Sequence, residues 1–278
     1  MNLLGTMEML WNAKNGEVLL DDTEMNYVSF GRGEKTLILL PGLSDGLATV
    51  KGKALLLAWP YRRFFDRYTV YMFSRKNRMP EGYSIRDMAN DQARAMEALG
   101  IKQASVMGVS QGGMIAQYLA IDRAEMVEKL VIAVSAPYAN DTVQACVSHW
   151  IDLAGSGRYK ELMVDMNDRV YSREYLRKYQ KFYPVIGTAM KRLRYDRFFM
   201  NAKAILEFNA LDELAKIGCP TFIIGGTEDK VVGCDAVYEM KERIANSELY
   251  LYEGLGHAAF EEAADFNERV FRFLETIQ

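Results

Sequence analysis

Two histidines, His149 and His257, are all that the 278 residues contain. A multi-histidine zinc site cannot be built from them, and no H-E-x-x-H run occurs. Cysteine is nearly as scarce. Cys146, Cys219 and Cys234 are odd in number and lack C-x-x-C spacing. They read as free thiols of a reducing compartment rather than a disulfide framework. No apolar run approaches the roughly 18 residues of a membrane span. Met1 to Leu10 lacks a cationic stretch followed by an apolar one, so no signal peptide is expected and the location expected is cytoplasmic. The sequon Asn140-Asp141-Thr142 then has no glycosylation context. Positive charge is not in excess either: 34 Lys and Arg stand against 37 Asp and Glu, for a net of −3. Nucleic-acid-binding domains are usually basic, so no nucleic-acid partner is expected.

What is there is ordinary globular material, 50% hydrophobic and 12% aromatic. A chain of this length buries roughly three quarters of its unfolded surface and needs no staple. Short apolar runs alternate with helical stretches. The runs are Thr36–Leu40, Tyr68–Phe73, Ala104–Val109, Leu130–Val134, Thr221–Ile224 and Leu249–Tyr252. They are rich in Val, Ile and Tyr and apolar on both faces, as parallel strands between helix layers are. Between them, Ser84 with Asp87 forms a capping box for a helix ending near Gly100. Gly112–Ile121 reads as a buried helix, and Ala236–Ala245 and Ala259–Ile277 show helical periodicity. This alternation implies a doubly wound, mainly parallel α/β sheet. The first 35 residues look like antiparallel edge strands, with turns at Asn15-Gly16 and Gly31-Arg32-Gly33.

One stretch breaks the alternation. From about Tyr138 to Asn209 no strand is evident, and a helical insertion after the fifth parallel strand is expected. Residues 1–137 and 209–278 then form the core domain and 138–208 a helical cap. Between Gly155 and Lys203 twelve basic residues face five acidic ones. The same stretch holds Tyr159, Tyr171, Tyr175, Tyr179, Phe182, Tyr183, Tyr195, Phe198 and Phe199. Either the charges form a solvated face while the aromatics pack inward, or aromatics and a few cations face an acidic or amphiphilic substrate.

Ligands of open α/β sheets sit at the C-terminal strand ends. After Ala104–Val109 comes Gly108-Val109-Ser110-Gln111-Gly112-Gly113, a G-x-S-x-G between strand and helix. A serine on so sharp a turn is strained, and side chains two before and two after it would clash. Such a hydroxyl needs a general base. His257 follows the last strand, flanked by Gly254 and Gly256, whereas His149 in Ser148-His149-Trp150 suits packing or surface exposure. The imidazole in turn needs a carboxylate. Asp229, in Gly225-Gly226-Thr227-Glu228-Asp229 after a strand, is the first candidate. Glu228 and Asp141 are the alternatives, and a loop-capping role is the plain reading of Asp229.

The chain order Ser110, Asp229, His257 resembles that of the α/β-hydrolases. The serine elbow, the Gly-Gly-Thr-Glu-Asp229 loop and the Gly-x-Gly-His257 loop carry the resemblance, to the branch of capped esterases, lactonases and C–C bond hydrolases. It implies an oxyanion hole made by the backbone N–H groups of Leu43 and Gln111. Two places depart from the family pattern. Pro41 stands where a histidine is usual, in Leu40-Pro41-Gly42-Leu43-Ser44-Asp45-Gly46, so this loop's support must differ. Ser74-Arg75-Lys76-Asn77 stands where Asp-x-x-Gly is common.

Other motifs fail. Gly46–Lys53 has five residues between Gly46 and Gly52-Lys53 and no following Ser or Thr, so it is no phosphate loop. Gly31-Arg32-Gly33 precedes its strand and is no dinucleotide fingerprint. Ser in place of Asp at the elbow argues against dehalogenase and epoxide-hydrolase chemistry. The expectation is a serine hydrolase of a small-molecule ester or lactone, with no cofactor and no metal. C–C cleavage, aminopeptidase or perhydrolase chemistry on the same residues, or a non-catalytic small-molecule receptor, are the alternatives.

Overall fold

Alternation of side chains along each strand decides the layering. In the computed structural model, which describes residues 11–179 and 195–277, the strands carry apolar side chains toward two separate cores. Ile38 and Leu40 of β3 (Lys35–Leu40) enter one core, Leu37 and Leu39 the other. Val106 and Met107 divide β5 (Ala104–Val109) in the same way, as Ile132 and Val131 do β6 (Val127–Ala133). A period of two with both faces apolar requires cover on each side. One cover is α2 (Ile85–Ala98), α3 (Gln111–Asp122) and α8 (Asp235–Arg243). The other includes the short α1 (Ala54–Ala58), the 3₁₀ turn Trp59–Phe64 and α10 (Phe266–Glu275).

The sheet has eight strands in the order β1-β2-β4-β3-β5-β6-β7-β8, completed by β1 (Lys14–Leu20), β2 (Thr23–Phe30), β4 (Tyr68–Phe73), β7 (Thr221–Gly226) and β8 (Ser247–Tyr252). β3 to β8 pair in parallel, and β1–β2 and β2–β4 are antiparallel. This is the expected mainly parallel α/β architecture. The capping box also forms: Ser84 Oγ accepts from Asp87 N at 3.1 Å, and the Asp87 carboxylate accepts from Ser84 N at 2.9 Å.

Three details differ from the sequence reading. Asn15-Gly16 lies inside β1, and the β1–β2 turn falls at Asp21-Asp22, where Asp21 takes φ +57°. Gly16 is there for space: a β-carbon on it would stand 2.3 Å from the Tyr27 ring across the ladder. The C-terminal helical stretch is two helices, α9 (Ala259–Glu262) and α10, because the chain turns extended at Ala263. Tyr252 Oη and Arg269 Nε then hold Asp265, just before α10, at 2.8 and 2.7 Å. Finally, the parallel set begins at β3, so the helical insertion between β6 and β7 leaves the fourth parallel strand, not the fifth.

That insertion contains α4 (Asp141–Gly155), α5 (Tyr159–Val170), α6 (Arg173–Tyr179) and α7 (Asp196–Leu206). Its two ends run side by side through an antiparallel bridge between Tyr138 and Asn209, with Ala139 N–H bonded to Phe208 O at 2.9 Å. Lys181, Phe182, Tyr183, Lys191, Arg192 and Arg194 of its basic, aromatic stretch lie outside the described residues.

Candidate active site

Ser110 ends β5 and opens α3 with φ +54° and ψ −119°, a conformation that costs an L-residue of order 1–3 kcal/mol. The neighbouring glycines make it possible sterically. A β-carbon on Gly112 would lie 1.9 Å from Leu40 O, and one on Gly108 would lie 2.2 Å from Gly112 O. Val134, just past the adjacent β6, also has positive φ, +43°, and donates its N–H to Ile224 O. Strain is thus concentrated where two central strands end, and it aims the serine hydroxyl out of the sheet.

The two loops that follow β7 and β8 bring the other groups to it. His257 Nε2 stands 2.9 Å from Ser110 Oγ, and His257 Nδ1 stands 2.8 Å from Asp229 Oδ2. Asp229 is held in place from behind. Asp229 Oδ1 accepts the N–H groups of Val231 and Val232 at 2.8 and 3.0 Å, so the aspartate caps its own loop while its second oxygen meets the imidazole. His257 and Asp229 are buried. The structure therefore brings Ser110, Asp229 and His257 together. It leaves the alternatives apart: Glu228 is exposed, and Asp141 is exposed in the first turn of α4. His149 is also exposed, 3.8 Å from Asp165.

The candidate oxyanion donors flank the serine. Gln111 is the first residue of α3, and Leu43 opens a 3₁₀ turn, Leu43–Gly46. N–H groups in first turns have no partner within their own helix. Gly42 brings the Leu43 loop against the serine, since a β-carbon on it would sit 3.3 Å from Ser110 Cβ.

A cavity of about 370 Å³ opens at this point. Apolar residues dominate its lining, among them Leu43, Met114, Val147, Trp150, Met163 and Val232. Three further methionines, Met72, Met107 and Met166, complete a thioether-rich wall. Of the aromatics singled out in the insertion, Tyr171 alone among the described residues lines it, and no Lys or Arg among the described residues does. The insertion's wall is mostly apolar because α4 and α5 turn Val143, Val147, Trp150 and Met163 inward, while Tyr159 stacks on Tyr195 at 4.4 Å. Its described cations pair at the surface, Arg158 with Glu161 and Arg169 with Asp165, or stand exposed, as Lys160 and Lys203 do. Arg197 is the exception, and it points into the protein.

Sequence reasoning did not find the group to which Arg197 belongs. Asp45, Arg75 and Gln111 are buried behind the Leu43 loop and meet Arg197 and Asn201 of α7 there. Burial pulls the Arg75 guanidinium down to about 10 against the attraction of Asp45, so it remains a cation at neutral pH. The departure at Ser74-Arg75 was the available signal.

Known proteins share this frame. A 2-hydroxy-6-oxononadienedioate/2-hydroxy-6-oxononatrienedioate hydrolase of Pseudomonas putida is 27% identical over 274 residues, 91% of this chain and 92% of that one. The crystal structure of MGS-M2, an alpha/beta hydrolase enzyme from a Medee basin deep-sea metagenome library, superposes with a TM-score of 0.82 at 18% identity, covering 95% of this chain and 98% of that one. The enol-lactonase of Burkholderia xenovorans LB400 superposes at 0.79 with 20% identity, covering 94% and 100%. Residues 37–269 match the alpha/beta hydrolase family over most of the chain, and the protein belongs to that family.

Proposed function

We propose that the protein is a serine hydrolase cleaving a small-molecule carboxylic ester or lactone through an acyl-enzyme. The observation that carries this reading is the continuous run Ser110 Oγ–His257 Nε2–Asp229 Oδ2 at 2.9 and 2.8 Å. Ser110 Oγ attacks the carbonyl carbon and its proton passes to His257 Nε2. Asp229 accepts the Nδ1–H, fixes that tautomer and stabilises the imidazolium. The oxygen that gains the electron pair accepts from Leu43 and Gln111 N–H, each such donor being worth roughly 3 kcal/mol in other enzymes. Collapse expels the alcohol, which takes the proton from His257, and water repeats the sequence to release the acid. The apolar cavity receives the hydrocarbon part of the substrate, and residues 138–208 act as the cap over it.

A second reading, hydrolytic C–C cleavage on the same residues, is favoured by the likeness to the Pseudomonas putida hydrolase over nearly the whole chain. A fluorophosphonate probe and a panel of esters, lactones and vinylogous 1,5-diketones test both. Ser110 is expected to be the sole labelled serine, and Ser110→Ala to abolish turnover. Labelling elsewhere, or activity that survives in the alanine variant, overturns the assignment. Turnover of diketones alone selects C–C cleavage.

A further inference from the structure

The proposed oxyanion donors belong to separate elements, the loop after β3 and the first turn of α3. The sheet brings them side by side, since Leu40 of β3 pairs with Gly108 of β5 and Gly42 packs against Ser110, but each donor lies three residues beyond that pairing. An oxyanion requires both donors at about 2.7–3.1 Å from one point, so the last adjustment of the Leu43 loop against the first turn of α3 falls to the contacts behind them.

Side chains from the departure after β4 bridge them. Arg75 N–H donates to Asp45 Oδ2 at 2.9 Å, and Ser74 Oγ accepts from Val50 N at 2.9 Å, so Ser74-Arg75 grips the loop at two points. The Arg75 guanidinium donates from Nη2 to Gln111 Oε1 at 3.0 Å, while its Nη1 lies 3.9 Å from Asp45 Oδ2. Arg197 of α7 donates to the same Asp45 oxygen at 2.8 Å and to Arg75 O at 3.2 Å. Gln111 Nε2 donates to Asn201 O at 2.9 Å, which closes the ring through α7. The loop also presses on that helix: a β-carbon on Gly46 would stand 2.9 Å from Phe198 Cα.

This arrangement is a poor device for stability. Buried ion pairs seldom repay their desolvation, and here two guanidinium groups share one carboxylate. It is a better device for geometry, because the planar Arg75 guanidinium directs one hydrogen bond at Gln111 Oε1 while its charge faces Asp45 of the neighbouring loop. It also leaves positive charge in a low-dielectric region behind both amides, where a developing oxyanion is stabilised.

We propose that Arg75 is a positioning residue of the oxyanion site, setting the spacing of the Leu43 and Gln111 amides through Asp45 and the Gln111 side chain, with Arg197 making that spacing depend on the inserted helices. The proposal rests on the hydrolase reading above. It assigns to Arg75 the support that Pro41 in place of a histidine leaves open.

An alkyl boronic acid tests it. The Ser110 Oγ–boron bond forms, the hydroxyl proton passes to His257, nothing leaves, and the tetrahedral anion occupies the oxyanion site. Arg75→Met is expected to weaken boronate binding and lower kcat together, by about 10- to 100-fold, with KM for a neutral ester within about twofold. Arg75→Lys keeps the charge and loses the planar group that reaches Gln111 Oε1 and Asp45 together, and is expected to recover less than half of that loss on a logarithmic scale. If Arg75→Met does not fold, Arg197→Met carries the same readouts with an expected loss of about 3- to 30-fold. Boronate binding unchanged while the wild type is labelled by fluorophosphonate overturns the proposal alone. Full recovery in Arg75→Lys overturns positioning in favour of charge. A wild type that neither labels nor turns over overturns the hydrolase reading and this proposal with it.

Discussion

Ala258, one residue beyond the imidazole, donates its backbone N–H to Val170 O at 2.8 Å. Val170 is the last residue of α5, so the loop that carries His257 is bonded to the insertion rather than standing free. Two more ties lie beside it. Tyr171 Oη donates to the Glu261 carboxylate at 2.8 Å, and Ser172 donates to that of Glu262 from N at 2.8 Å and from Oγ at 2.5 Å. The insertion therefore both walls the cavity and holds the loop of His257.

Glu262→Ala removes one of these ties without touching the imidazole. The expected result is slower fluorophosphonate labelling of Ser110, by about 3- to 100-fold, since small misplacements of reacting groups carry penalties of that size. Labelling kinetics at fixed pH measure it. A rate equal to wild type shows that the remaining two ties suffice.

Asp229→Asn keeps the shape of the side chain and removes its charge. It is expected to reduce kcat by up to about 10⁴-fold, the size seen in the best-studied serine triad. Glu228→Gln and Asp141→Asn, both on exposed side chains, are expected to stay within about twofold of wild type. Steady-state kinetics of the three variants decide the matter. A dead Glu228→Gln or Asp141→Asn beside an active Asp229→Asn reassigns the acid.

The apolar cavity predicts a dependence on chain length. Burial contributes about 0.8 kcal/mol per methylene, so kcat/KM is expected to climb roughly fourfold per added carbon until the cavity fills. Trp150→Ala enlarges the wall formed by α4 and is expected to move the optimum toward longer acyl groups. A p-nitrophenyl ester series on both proteins reads this directly. An optimum that stays in place excludes Trp150 as a limit on acyl length.

Glu275, near the end of α10, ties that helix to the sheet. Burial acts to raise its pKa, but hydrogen bonds from Lys35 at 2.8 Å and Tyr68 at 2.6 Å, with Arg67 beside them, prevail and hold it at about 2. A folded value below the unfolded one stabilises the protein above about pH 4.5, and the benefit is lost as pH falls toward 2. Glu275→Gln is expected to cost about 1–2 kcal/mol at pH 7, a few degrees in Tm. The gap to wild type should shrink steadily on acidification below pH 4.5. Thermal melts across that range check it, and a gap independent of pH shows that packing rather than charge is responsible.

The catalytic candidates were legible in the sequence because each is announced locally. A glycine two residues either side of Ser110, and Gly256 beside His257, mark places where another backbone crowds a β-carbon, while Gly254 takes φ +72°. Asp229 was legible by its place after a strand. The strands were legible because both their faces are apolar, a pattern independent of what covers them. The network around Arg75 was not. Its members, Asp45, Arg75, Gln111 and Arg197, come from four separate segments, and only the folded chain brings them together. Residue pairs also misled. Asn15-Gly16 has turn chemistry, yet it lies inside β1, where Gly16 leaves room for the end of the Tyr27 ring across the ladder. The basic, aromatic character of the insertion left two readings open, and the described helices fit the first: they show the cavity mostly apolar side chains and give most of their cations to solvent.

Met72, Met107, Met114, Met163 and Met166 give the cavity a wall of flexible thioethers. Such a wall moulds itself to guests of different outline better than branched aliphatics do. It also couples binding to oxidation. Conversion of these residues to sulfoxides would make the surface polar and chiral, while leaving Ser110, His257 and Asp229 chemically intact. Peroxide would then weaken the cavity's hold on an apolar guest while Ser110 stayed unchanged, and enzymatic reduction of the sulfoxides would restore it.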